Sequence, residues 1–112
     1  MLYISIEDFQ RQTKDIAPIN REEELALAAR LTTGDHTARE LLLRGYLPQV
    51  AAVIDRMPRE YQTLELVMRC CTALEKAVER FDFIQSSESF THRLSWALRQ
   101  TTVAYIADKR NT

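Results

Sequence analysis

Glycine and proline are scarce in this chain, 2 and 3 among 112 residues. Strands joined by tight turns need those residues as punctuation, so a sheet of many short strands is disfavoured and a few helices are expected. Cysteine is nearly absent as well. Cys70 and Cys71 are neighbours, and adjacent side chains on a helix point about 100° apart. They suit neither an ordinary disulfide nor joint ligation of one metal. With no third cysteine a disulfide framework is excluded, and a reducing, cytoplasmic setting is expected. No run approaches the ~18 apolar residues of a membrane span, and the first residues lack the charged-then-apolar pattern of a secretory signal.

Signatures of catalysis are missing too. The chain has no Gly-rich phosphate loop, no His-Glu-x-x-His helix and no Cys-x-x-Cys pair. His36 and His92 stand alone in sequence and read as solvent-facing or capping residues. Glu22-Glu23-Glu24 reads as complement to a helix dipole in preference to a cation site. No enzyme, catalytic residue, metal ligand, cofactor or small-molecule substrate is therefore expected.

The residues present describe a globular chain, 46% hydrophobic and 28% charged, of a length that suits one domain. The net charge of −1 is unevenly spread. Residues 1–58 carry 7 Lys/Arg against 9 Asp/Glu, and residues 59–112 carry 8 against 7. Over the last 29 residues Arg93, Arg99, Lys109 and Arg110 outnumber Glu88 and Asp108, a basic tilt of +2. This falls short of the strongly basic footprint of an autonomous nucleic-acid binder.

Helix signals recur in order. Ser5 with Asp8 starts a short first helix that buries Ile6, Phe9 and Ile16 and ends before Pro18. Asn20 with Glu23 forms a capping box for a second, with Leu25, Ala28, Ala29 and Leu31 or Thr32 as its apolar face. Gly34 supplies a left-handed end, and Asp35 caps a third helix with Ala38, Leu41, Leu42 and Gly45 on one face. Gly45 and Pro48 predict a kink or a restart at Pro48, after which Val50, Val53, Ile54 and Met57 continue the stripe to Pro58. A fourth helix over about 63–81 carries Val67, Cys70, Cys71, Leu74, Ala77, Val78 and Phe81 at spacings of three and four. A polar turn over 84–89 leads to a fifth helix that runs to about Asp108. The expected fold is all-α: a compact bundle of about five helices in one domain, with N-terminal helices over 5–58 and a helical pair over 63–108.

The fifth helix has two faces. Leu94, Leu98, Thr101 and Tyr105 share one arc, while Arg93, Trp96, Gln100 and Val103 share another, with Arg99 beside it. A mixed Trp, Arg and Gln surface is what single-stranded nucleic-acid binding uses. The competing reading is a helix buried on both sides, with Trp96 packed against the first or second helix.

The segment from Leu66 to Phe83 resembles L-I-Q-E-G-N-I-G-L-M-K-A-V-E-K-F-D-Y, a run typical of the sigma-70 family of RNA polymerase sigma factors, most clearly at Leu74-Glu75-Lys76-Ala77-Val78-Glu79-Arg80-Phe81-Asp82-Phe83. Phe90 through Gln100, with Trp96-Ala97-Leu98-Arg99-Gln100, is similar to the family's F-S-T-Y-A-T-W-W-I-R-Q. Upstream, Pro18 to Glu24 and Leu31 to Glu40 resemble its P-L-L-T-x-E-E-E and I-x-x-G-D-x-x-A-R-E. The likeness is collinear over roughly 8–108, and Ile106-Ala107-Asp108 looks like the start of the family's promoter-reading segment.

This resemblance implies a role in transcription initiation or its regulation. It places single-stranded promoter DNA on Phe90, Arg93, Trp96, Arg99 and Gln100. It places the clamp helices of RNA polymerase core, or a substitute protein partner, on Val67, Met68, Arg69, Cys71 and Glu75. The chain departs from the pattern at several of these. Arg93 stands in a tyrosine's place, Ala97 in a second tryptophan's, Arg69 in an acid's and Cys71 in an amide's. A reversed charge at an interface implies like-charge repulsion. The sequence also stops where the family goes on to read the promoter, without a downstream helix-turn-helix, and a separate chain could supply those helices. The reading from another class is a sigma-like protein-interaction module that holds an anti-sigma factor or a second copy of itself without binding DNA. Burial of the Trp96 indole beyond about four-fifths would favour that module.

Overall fold

The computed structural model describes residues 2–111, and among them no strand is present. The elements are α1 (Ile6–Thr13), α2 (Arg21–Leu31), α3 (His36–Asp55), a 3-10 turn (Arg59–Tyr61), α4 (Leu64–Arg80) and α5 (Phe90–Arg110). No helix among the described residues is long and apolar enough to cross a membrane.

Local chemistry starts each helix. Ser5 Oγ accepts from the Asp8 N–H, and the Asp8 carboxylate in turn accepts from the Ile4 N–H, each at 3.0 Å. Asn20 and Glu23 form the reciprocal capping box. Asp35, Thr63 and Ser89 cap α3, α4 and α5 through their side chains. Gly34, with φ of 78°, turns the chain between α2 and α3 in the left-handed region that glycine enters without steric cost.

Two expectations about helix limits are corrected. The first helix stops at Thr13, whose hydroxyl bonds back to the Phe9 carbonyl. The non-helical stretch that follows carries Ile16 and Ile19 against the core. The third helix neither breaks nor restarts at Pro48 but runs unbroken to Asp55. Pro48 costs it one backbone hydrogen bond, while Leu43, Leu47, Val50 and Ile54 bury a continuous stripe across the site. Gly45 has a different reason from a kink. A Cβ there would lie 2.9 Å from the Cβ of Ile19, whose N–H bonds the Gly45 carbonyl.

Packing runs α2 on α3, α3 on α4 and α4 on α5, with α1 across α3 and α4. One apolar cluster joins them, from Phe9 through Leu42, Val50 and Ile54 to Leu66, Leu74, Leu94 and Leu98. The inner faces differ from expectation at a few positions. In α2, Leu25 and Ala29 are exposed, whereas Glu24 is buried and its carboxylate accepts from the Tyr46 hydroxyl on α3. Leu41 faces outward, and in α5 Thr102 takes the buried place expected of Thr101.

Candidate nucleic-acid and partner interface

The fifth helix is buried along one side only. Leu94, Leu98, Thr102 and Tyr105 face the core, while Arg93, Trp96, Arg99, Gln100 and Val103 are exposed. Trp96 keeps 55% of its surface exposed, which rules out packing of the indole against the first or second helix. Arg99 and Gln100 have no side-chain hydrogen bond or ion pair among the described residues. Arg93 reaches Glu88 in the preceding turn at 3.1 Å. Gln49 on α3 anchors the start of α5 by donating to the Thr91 carbonyl and the Ser95 hydroxyl, both at 3.0 Å.

Arg93 and Gln100 also line an open groove between α4 and α5. Its floor is built from small side chains, among them Ala73, Ala77, Ala97 and Ala104, and Phe81 closes one end. From α4 the groove receives Lys76 and Arg80, and among the described residues no acid lines it. These two cations were missed in the sequence, where they read only as part of a family motif. Their spacing of four did hold a signal: it puts both on one face of α4.

Phe90 does not belong to this surface. It is fully buried, with its ring centre 4.6 Å from that of Tyr46, 5.2 Å from Phe81 and 4.9 Å from Phe83. An aromatic at the first position of α5 lands over the end of α4 and becomes a core residue, closed to a nucleic-acid base.

The partner set on α4 divides in the same way. Val67 is fully buried and Cys71 is 5% exposed, so neither side chain can meet another protein. Both lie on the inner stripe with Cys70 and Leu74, as their spacing requires. Burial pushes the Cys70 thiol up to about 12 and the Cys71 thiol up to about 11. Met68 is 54% exposed, and with Leu64 and Thr72 it forms a shallow apolar strip on the outer side. Arg69 lines its edge, and both Arg69 and Glu75 are half-buried. His36 and His92 are exposed, and no group of three or more His, Cys, Asp or Glu among the described residues could hold a metal.

Comparison with known proteins supplies the relationship. The RNA polymerase sigma factor SigA of Clostridium acetobutylicum is 32% identical over 114 aligned residues, which cover 97% of this chain. SigA of Listeria monocytogenes and SigA of Listeria innocua are each 34% identical over 95 residues, 84% of this chain. This chain is a sigma-70-like region. No family model matches it. The sigma-like chain spans 30% of the length of the clostridial relative and 25% of each listerial one. Likeness across nearly the whole chain at this identity extends to the helices before α4 as well as to the α4–α5 pair.

Proposed function

We propose that this sigma-like chain acts in transcription initiation or its regulation, by non-covalent binding and without catalysis. The outer face of α4 engages RNA polymerase core, and α5 with its adjoining groove engages single-stranded promoter DNA. The observation that carries the DNA half is a continuous exposed surface. It runs from Arg99 over Trp96 and Gln100 into the groove that Lys76, Arg80 and Arg93 line. A base stacked on the indole contributes roughly 1–3 kcal/mol, and the cations neutralise phosphates along the strand. Duplex DNA presents no free base face, so a stacking surface of this kind selects the melted strand.

The polymerase half is supported by kinship with SigA, named as an RNA polymerase sigma factor, and by the unpartnered strip of Leu64, Met68 and Thr72. Fluorescence anisotropy with a labelled single-stranded oligonucleotide and its duplex tests the DNA half. The single strand is expected to bind more tightly, and Trp96→Ala to weaken it roughly ten-fold. Replacing Lys76 and Arg80 with Ala is expected to lower the slope of log affinity against log salt by about 1.4. Equal affinity for duplex and single strand, unchanged by Trp96→Ala, would remove the DNA role and leave a protein-interaction module.

A further inference from the structure

Arg69 sits on the α4 face offered to a partner, and its surroundings set the charge that the partner meets. Its guanidinium lies 2.8 Å from the Asp108 carboxylate on α5 and 3.2 Å from Glu65, one turn back on α4. Lys109 reaches Glu65 at 3.1 Å. Both cations lie over the buried Tyr105 ring, 5.2 and 5.4 Å from its centre, and the Tyr105 hydroxyl meets Thr63 Oγ1 at 2.6 Å. The carboxylates are the outward groups of this cluster. Asp108 and Glu65 are 59% and 47% exposed along their side chains, against 38% for Arg69. Within the cluster the two carboxylates, Glu65 and Asp108, match the two cations, Arg69 and Lys109, in number.

We propose that Asp108 is an interface residue: by cancelling the charge of Arg69 it makes the outer face of α4 an apolar strip with an acidic rim. Such a face fits a partner helix that presents apolar side chains flanked by Lys or Arg, and it would repel an acidic one. The reversed charge at Arg69 is therefore no barrier to a cationic partner while Asp108 holds it. This inference rests on the reading of α4 as the polymerase-facing surface.

Binding of the labelled chain to purified bacterial RNA polymerase core tests it in wild type, Asp108→Asn, Arg69→Gln and the double variant. At 0.1 M NaCl Asp108→Asn is expected to weaken binding about two- to five-fold, the range of an exposed ion pair. The loss should be smaller when Arg69 is already Gln, because no cation is then unmasked, and the difference should shrink at 0.5 M NaCl, where the screening length is a few ångströms. Equal losses in both backgrounds, or none in either, would overturn the role of Asp108 while leaving polymerase binding intact. If none of the four binds core, the polymerase reading itself fails. Thermal melts of the four proteins separate a folding defect from a change at the surface.

Discussion

Phe90 and Trp96 are six residues apart and have opposite fates. Both are aromatic places in the family's strand-binding segment, yet Phe90 is enclosed by Tyr46, Phe81 and Phe83 while Trp96 is open to solvent. Phe90→Ala is therefore expected to cost about 3–5 kcal/mol of stability in urea unfolding, as a core aromatic does. Trp96→Ala should lie within about 0.5 kcal/mol of wild type. Similar costs for the two would contradict the assignment of their faces. The thiols give a second test at this scale. Cys70 and Cys71 are buried, with ionisation pushed to about 12 and about 11, so at pH 8 neither presents a thiolate. A disulfide reagent should modify them no faster than the chain opens; fast modification of either would contradict their burial. Some residue roles were not legible in the sequence. The acidic run Glu22–Glu24 announced a helix start, but only the fold brings Tyr46, twenty-two residues later, to Glu24 and buries the pair. Tyr46→Phe removes that bond and leaves Glu24 with Arg21 alone. The expected cost is about 1–3 kcal/mol, measured by urea unfolding.

At the scale of the element, starts and stops were the readable part. Asn20 with Glu23, Gly34 and Asp35 each act where local chemistry put them, because a cap is decided by residues within one turn. The restart expected at Pro48 does not occur, since a proline's local cost can be outweighed by the buried stripe that runs through it. The end of the first helix was missed because Pro18 acts as a barrier only if the helix lasts that long. Caps also set the response to acid. The Asp8 carboxyl is held below the usual carboxylate range by hydrogen bonds, first from Gln12 and then from the Ile4 N–H. Asp35 is held low first by Arg30 and then by the Ala38 N–H. A lowered folded pKa means that the stabilisation is complete above the unfolded value near about 4 and is lost as pH falls through the folded one. The thermal midpoint should thus drop as pH falls below about 4. Asp8→Asn and Asp35→Asn should each flatten that drop, and a drop as steep as wild type in both variants would contradict this source of acid sensitivity.

For the whole molecule, the all-helical architecture followed from sparse glycine and proline and from apolar spacings of three and four. The α4–α5 pair was readable because its stripes are long. The groove between the two helices was not. Lys76 and Arg80 line the same cleft as Arg93 and Gln100 only because small side chains at 73, 77, 97 and 104 shape its floor. Of the α4 residues proposed to meet a partner, periodicity already placed Val67 and Cys71 on the inner stripe, where they are buried, and the resemblance drew them outward. Met68 is what remains exposed there. Gel filtration of the chain with purified bacterial RNA polymerase core, comparing wild type with Met68→Asp, shows whether the exposed side of α4 holds the polymerase. Wild type is expected to co-elute with core, and Met68→Asp, folded as judged by its thermal melt, is not. Absence of co-elution for wild type at low salt, or equal co-elution of both, would contradict that role of α4.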